Sequence, residues 1–566
     1  MAFAGIAVFA DILGLDPSRG WGRMRIILLI FGFVIVSCTV LYLQYTTRAH
    51  YLANNKDYHF VSVSYINRSI LKLSRLFKEY WFTLPFLVFV ILIYIWFISS
   101  GTWTTWVSPT HYYADLTIGF LKGNLYLPIK VGPDLLKSPD PYEPLLTGKT
   151  QGPIDYSYYH GKYYLYWGPV PALLLLMIHP IIYWRVGDLQ LVFCFVVGLY
   201  IVQCLLALAI WDSFFSDLPK YILCLSILLL GLASPVNFIL NNYKGARIYE
   251  ASITGGQFFL MSGFILALTT LKQPASRWRL AFAGMLWALA IGTRFIVALP
   301  IGLMVLMVTG WMLWLNHWSL KKNPEITFLS LPIAFGFVCL GWYNWARFGS
   351  VTESGLFYQL PGAINLQKHY GELINPIYIL QNLYNYFLYP FSVRFQFPYL
   401  YAEYGNTKAI FSSYHLPVLY SAQAITGLIY TVPFIVFSLI PVGRNINNFY
   451  RKKTLNDRSL SSDEQSKLNW VTLTLSGACL AIFGFLLSFF WVAMRYLEDV
   501  MPLLIMLSIV GFWQGFQALS KKPIIRRLYT SLGVVLAVAS ILLSTLVALS
   551  INQGRFEIIH LLSLTK

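Results

Sequence analysis

Charge is the scarcest feature of this sequence. Of 566 residues only 11% are Asp, Glu, Lys or Arg, whereas 57% are hydrophobic; a soluble protein of ordinary make-up carries about 25% charged residues. That deficit, together with apolar runs recurring along the chain, excludes a water-soluble globular protein. It predicts an all-α polytopic membrane protein, because helices satisfy their own backbone groups in hydrocarbon. Soluble-enzyme signatures are missing too. There is no Walker A sequence, no GxGxxG after a strand, no HExxH and no CxxC, and no stretch long enough for a nucleotide-binding domain, which argues against ATP- or nucleotide-sugar-driven chemistry in the cytoplasm. All six cysteines (Cys38, Cys194, Cys204, Cys224, Cys339 and Cys479) lie within apolar segments. They read as small buried hydrophobes, with no disulfide framework and no zinc spacing. No internal repeat is visible.

Acidic residues are few beside basic ones, 23 against 41, giving a net charge of +18. The placement of that charge speaks against a nucleic-acid partner. Arg48, Lys56, Arg68, Lys72, Arg75 and Lys78 form one cluster, Arg444, Arg451, Lys452, Lys453, Arg458 and Lys467 another. Lys321–Lys322 and Lys521, Lys522, Arg526 and Arg527 sit in short turns. Such clusters set orientation by the positive-inside rule and favour anionic lipid.

About twelve apolar stretches approach the roughly 20 residues needed to cross hydrocarbon. They lie near 26–46, 81–99, 189–212, 219–240, 251–272, 279–297, 298–316, 326–345, 421–441, 469–492, 499–518 and 527–549. If they alternate, the basic clusters are cytoplasmic, and both termini and two large loops, 101–188 and 346–420, face out. Gly168–Trp184 is apolar but short and broken by Pro169, Pro171 and Pro180, so it reads as a membrane-dipping helix on the outer side. Arg23 and Arg25 precede the first run, where Ile-Val-Ser-Cys ends at Cys38 like a lipoprotein cleavage box. The run continues to Tyr45, so a signal anchor is the better reading. The expected organisation is an N-terminal extra helix with a basic cytoplasmic segment (1–80), a transmembrane core containing the first outer loop (81–345), the second outer loop (346–420), and C-terminal membrane helices (421–566) carrying a polar linker at 454–466.

What is present is concentrated in the first outer loop. The run DYSYYHGKYYLYWGPVP (155–171) carries Tyr156, Tyr158, Tyr159, Tyr163, Tyr164, Tyr166 and Trp167 beside Asp155 and Lys162. Tyrosine can stack on the apolar face of a sugar and hydrogen-bond its hydroxyls. A carboxylate can take the proton from an attacking hydroxyl, and Asp115, Asp134, Asp140, Glu143 and Asp155 are available. The competing reading is an interfacial aromatic belt, which would place single rings at helix ends rather than this density. In YKGARIYEASITGG (243–256), Arg247 and Glu250 sit where a span re-enters from outside; charges at that depth either face a functional cavity or snorkel. Arg347, in GWYNWARFGSVTESG (341–355), opens the second loop and has the geometry to bind phosphate; otherwise it is an interfacial anchor. Arg394 recurs among Tyr399, Tyr401, Glu403 and Tyr404. In AMRYLEDVMP, Arg495 and Asp499 are four apart, so they could simply pair on a helix face. With Arg294, these arginines map to the outer half, where they suit an anionic lipid-phosphate substrate.

A span, a large outer loop and then many spans resemble the GT-C superfamily of membrane glycosyltransferases, which includes protein O-mannosyltransferases and aminoarabinose transferases. HYYADLTIGFLKGNLYL (111–127) resembles the opening of their first loop, and GKYYLYWGPVPALLL (161–175) its close. YNWARFGSVTESG is similar to a stretch in the RgtA/B/C/D-like bacterial branch. The resemblance runs over most of the chain from about residue 81. It implies a polyprenyl-phosphate sugar donor, a glycan, lipid or protein acceptor, and reaction on the extracytoplasmic face of the cell membrane with a loop carboxylate as base. Where members often carry Asp-Glu before the loop-opening Tyr, this chain has Ser108 and Pro109 ahead of Tyr112. Asp115 or Asp155 could substitute; Asp155, embedded in the aromatic cluster, is the expected base, with Asp115 in reserve. Tyr159, Lys162, Tyr163, Tyr164, Arg247, Glu250, Arg347, Arg394 and Arg495 are the expected substrate contacts. No spacing compels a divalent metal, and none is excluded. Two alternatives stand beside this reading: a transporter or flippase of a lipid-linked substrate, and a non-catalytic glycan- or lipid-binding membrane protein.

Overall fold

The computed structural model describes residues 79–551, apart from position 105 and the stretches 144–154, 183–185, 242–246, 272–275, 320–322, 361–363, 411–414 and 451–461. The first expected span, the basic segment before residue 79, the Cys38 box and most of the 454–466 linker lie outside the described residues. By its contacts the chain divides into a small unit, Met1–Pro85 with Ser99–Trp106, and a large one, Phe86–Ile98 with Val107–Lys566. In the small unit residues 99–103 make a tight turn, with Thr102 N donating to Ser99 O and Trp103 N to Ser99 Oγ.

Eight helices among the described residues are long and apolar enough to cross a membrane, which fits an α-helical membrane protein. They are Trp81–Ile98, Asp188–Phe214, Lys220–Asn241, Phe295–Leu315, Glu325–Phe348, Asp463–Ser488, Met501–Ala518 and Pro523–Ser550. The helices used below are α1 (Leu84–Ile98), α2 (Tyr112–Leu121), α3 (Val170–Ile182), α4 (Asp188–Phe214), α5 (Lys220–Leu232), α6 (Ile248–Ala267), α7 (Arg277–Thr293), α8 (Ala298–Leu315), α9 (Glu325–Phe348), α10 (Ser462–Ser488), α11 (Met501–Ala518) and α12 (Pro523–Ser550). Two expected spans, 251–272 and 279–297, correspond to α6 and α7 but do not reach that mark. α6 carries Glu250, Ser252, Thr254, Gln257 and Ser262 on its faces, and α7 has only 17 residues. The stretch expected as a span at 421–441 breaks into Leu428–Thr431, a 3₁₀ turn over Pro433–Ser438 and a helix from Leu439. Pro433 explains the break, because proline disfavours helical geometry in the residue before it and lacks a donor. α3 has 13 residues, well short of the roughly 20 that cross hydrocarbon.

α6 forms the centre, packed against α4 and α7, and α7 in turn packs against α9. Close approach is made possible by small residues. A Cβ on Gly284 of α7 would stand 2.2 Å from Leu329 O of α9. Trp287 Nε1 donates to Leu260 O at 3.1 Å, joining α7 to α6 through the one polar atom of a fully buried ring. Trp513 Nε1 does the same from α11 to Ser226 Oγ of α5. Cys204 and Cys479 are buried, as their apolar settings predict, but Cys194 and Cys339 face outward from α4 and α9.

The all-α expectation omits a small β component. Four two-stranded pairs occur among the described residues, all in the segments read from the sequence as loops or at the ends of spans. The first, Ser157–Tyr159 (β1) with Lys162–Tyr164 (β2), builds the site.

Candidate functional site

β1 and β2 pair antiparallel, with Tyr158 opposite Tyr163. The two residues between them, His160 and Gly161, both have positive φ (45° and 73°), the backbone that matches the twist of a two-residue hairpin. The strands are short, yet the rings hold them. Tyr156 lies 5.0 Å from Tyr112 and 5.5 Å from Tyr163, centroid to centroid, and Tyr166 stacks on Trp167 at 3.7 Å. Tyr163 and Tyr164 are buried, so their faces pack the hairpin rather than present themselves to a ligand. Tyr159 is half-buried between Phe348 and Tyr358. Lys162 is exposed, its Nζ 4.3 Å from the Tyr126 ring. The second expected loop docks here: Leu360 N donates to Tyr156 O, and Gln359 bridges to Ser157. After the hairpin the chain turns at Gly168, where a Cβ would fall 1.9 Å from Gly292 O. Only glycine lets this turn lie against the end of α7.

Asp155 stands at the foot of the hairpin in a left-handed conformation, φ 73°, which aspartate tolerates better than most residues. Its Oδ1 accepts from Tyr249 Oη at 2.6 Å and from Gln359 Nε2 at 3.3 Å. The Tyr249 and Tyr166 hydroxyls share a further hydrogen bond of 2.9 Å. The Arg495 guanidinium lies 4.4 Å over the Tyr249 ring and donates to Gln423 Oε1 at 2.6 Å. Burial pushes the Asp155 carboxyl up, while the Tyr249 hydrogen bond and the charge of Arg495 pull it back and Glu250 repels it. Asp155, Tyr166, Tyr249, Gln359 and Arg495 are all half-buried. They form a polar rim on an otherwise packed aromatic core.

Asp115 lies in the first turn of α2, half-buried, and its carboxylate makes no hydrogen bond or ion pair among the described residues. Burial and then repulsion by Asp188 push it up to about 6, with His111 opposing. Asp115, Asp155 and Asp188 all act on the Tyr112 hydroxyl, which burial and these three carboxylates raise well above its ordinary value. Asp188 is committed. Its carboxylate accepts from Tyr112 N at 2.9 Å and Tyr113 N at 3.2 Å, taking up donors that α2 leaves unsatisfied at its start. In return, Ser108 Oγ accepts from Leu189 N at 3.1 Å, near the start of α4. Two helix N-termini thus cap each other. Ser108, at the position where the resembled family often has an acid, serves this latch.

The expected cations separate. Arg495 joins the Asp155 rim. Arg247 is fully buried, its Nη1 donating to Ile239 O at 2.8 Å, and it is attracted by Glu250 and Asp188. Glu250, also fully buried, attracts Arg495 as well. Arg347 donates to Leu165 O at 2.6 Å, to Asn344 Oδ1 and to Tyr343 O, with its guanidinium 3.8 Å over the Tyr343 ring; it clamps the end of α9 to the segment after β2. Arg394 pairs with Glu403 at 2.7 Å in a separate hairpin, where it is half-exposed. The pairing of Arg495 with Asp499 is not what forms. Met494–Asp499 is a 3₁₀ turn, in which residues four apart do not share a face. Asp499 instead makes a bidentate pair with Arg294, 2.7 and 2.5 Å. Among the described residues no group of three or more His, Cys, Asp or Glu is placed to hold a metal ion.

Sequence reasoning missed Tyr249, Gln359, Gln423 and Asp188. Tyr249 lies between Arg247 and Glu250, in a segment singled out for its charges. Asp188 was readable as the first acid after the apolar 168–184 stretch, but nothing local reveals that it reaches back to Tyr112.

No family model matches the chain, and no curated protein matches it. Two solved structures bear a likeness to it. One is the archaeal oligosaccharyltransferase AglB from Archaeoglobus fulgidus in complex with an inhibitory peptide and a dolichol-phosphate, with TM-score 0.40 and 14% identity. The other is the Archaeoglobus fulgidus oligosaccharyltransferase in the apo form, with TM-score 0.34 and 13% identity. Each match covers 85% of this chain and 56% of that one, so this chain spans about half the length of the structures it resembles. Likeness at this level fixes neither the fold nor the activity of the chain.

Proposed function

We propose that the chain is an integral membrane glycosyltransferase. It moves a sugar from a polyprenyl-phosphate donor to a hydroxyl on a glycan, lipid or protein acceptor at the outer face of the membrane. The observation that carries this reading is the meeting of a free acid, a held acid and a cation around the Tyr112–Tyr249 rings. Asp115 makes no hydrogen bond or ion pair among the described residues, and its carboxyl is pushed up to about 6 by burial and Asp188. Asp155 is held by Tyr249 and Gln359, and Arg495 lies over the Tyr249 ring.

In this reading the acceptor hydroxyl loses its proton to a carboxylate as its oxygen bonds to the anomeric carbon. The bond from that carbon to the phosphate oxygen breaks, and polyprenyl phosphate leaves with the electron pair. A base with a value close to the working pH combines availability with basicity, which favours Asp115 for the proton. Asp155, already accepting two hydrogen bonds, is suited to orienting a sugar hydroxyl or the leaving group near Arg495. Arg347, spent on carbonyl oxygens, supports the hairpin instead.

The test is to supply purified chain in liposomes with radiolabelled polyprenyl-phosphate sugars and a mixed acceptor extract. Transfer of label to acceptor, with release of polyprenyl phosphate, is the expected result. Movement of intact donor between leaflets without cleavage would establish a flippase in its place.

A further inference from the structure

Residues 374–404, which the sequence places inside the second outer loop, carry their polarity on the wrong side for water. Gln381, Asn382 and Asn385 are fully buried, whereas Ile374, Leu380, Leu383 and Leu388 are 57%, 50%, 40% and 47% exposed. A water-facing segment does the reverse.

The buried amides are spent on backbone. Asn382 Nδ2 donates to Leu486 O, Leu487 O and Phe489 O at 3.1, 2.9 and 2.8 Å, carbonyls at the C-terminal end of α10 that the helix cannot satisfy itself. Gln381 Nε2 and Asn385 Nδ2 both donate to Asn406 O, at 2.7 and 2.9 Å. The segment therefore caps a span. It also runs beside that span: the Phe387 and Phe483 rings are 5.1 Å apart, and Phe483 precedes the helix end at Ser488 by about 7.5 Å of axial rise. The chain then continues into a hairpin, Ser392–Val393 paired with Leu400–Tyr401, whose Phe395 is 102% exposed. Ala402 N donates to Ser550 Oγ, at the end of a second candidate span. Two span ends thus fix this apolar surface at the membrane boundary. Exposed apolar side chains of this number call for a cover, and their position supplies one.

We propose that residues 374–404 form a lipid-facing segment inserted at the ends of α10 and α12, with bilayer acyl chains and the headgroup interface as its partner. The inference does not depend on the enzymatic reading. In the full chain, with the six cysteines replaced, a single cysteine is placed in turn at Leu380, Leu383, Leu388 or Phe395, spin-labelled and reconstituted in liposomes. Lys368 and Lys408, which are exposed in the same loop, serve as controls. Collision with oxygen should dominate over collision with a water-soluble nickel chelate at the four test positions, and the nickel chelate should dominate at the two lysines. Nickel dominance at all six would overturn the proposal. So would shielding of the four from both reagents with spin–spin broadening, which would mean that a second copy of the chain covers them.

Discussion

Asp115 and Asp155 are both acids in the first outer loop, and the sequence favours Asp155 as the base because it sits within the aromatic cluster. The structure separates them by their partners. Tyr249 comes from a helix far along the chain and donates to Asp155, whereas Asp115 faces only the charges of Asp188 and His111. No local pattern could have revealed this, because the distinction is made by residues 94 and 204 positions away from Asp155. Two predictions belong here. The folded value of Asp115, about 6, exceeds the roughly 3.9 of an unfolded aspartate, so its protonated form favours the fold. That contribution is complete below about pH 4 and is lost as pH rises through about 6. Asp115→Asn, which cannot ionise, should therefore match wild type in thermal unfolding at pH 4 and melt higher at pH 8. Replacing Tyr249 by Phe removes one donor to a carboxylate, an interaction of about 1.5–3 kcal/mol. Infrared titration should then find the Asp155 carboxyl protonated to higher pH, with Asp155→Asn identifying the band.

Among the elements, the strongly apolar runs were legible. The spans read near 189–212, 298–316, 326–345 and 527–549 appear as α4, α8, α9 and α12, within a few residues. Less apolar segments were legible as helices but not as spans: the stretch near 251–272 corresponds to α6, which is not among the candidate spans. α6 is central to the packing yet carries Ser, Thr, Gln and Glu, because its neighbours rather than lipid surround it. The β1–β2 hairpin escaped notice since its strands have three residues each and are stabilised by rings from other segments. Local signals also misplace pairs: Arg495 and Asp499 are at helical spacing, but a 3₁₀ turn separates them and Arg294 takes the acid. The reciprocal caps of α2 and α4 give the element-scale prediction. Asp188→Ala leaves two buried donors without an acceptor, at about 1–3 kcal/mol each. It should lower the thermal midpoint markedly and increase proteolysis after Lys122, while Asp188→Asn, able to accept one of the two, should fall between.

At the scale of the whole molecule, composition alone indicated a helical membrane protein, and among the described residues eight helices have the length and apolarity to span one. The loops were harder to read. Residues 346–420 are placed outside by the alternation of the spans, but burial decides which polar groups meet solvent, and Gln381, Asn382 and Asn385 do not. Orientation is testable directly. With single cysteines at Ser138 and at Ser461, a membrane-impermeant maleimide added to intact cells should label only the first. The central claim is that this chain transfers sugar using the acids around Tyr112 and Tyr249. Its most direct test is transfer from a polyprenyl-phosphate sugar in proteoliposomes, comparing wild type with Asp115→Asn and Asp155→Asn prepared at equal fold and amount. A general base contributes about 10²–10⁴-fold. The account predicts a loss of that size in Asp115→Asn, a clear loss in Asp155→Asn, and a wild-type rate that rises with pH through about 6 as Asp115 ionises. Wild-type transfer by both variants would contradict it.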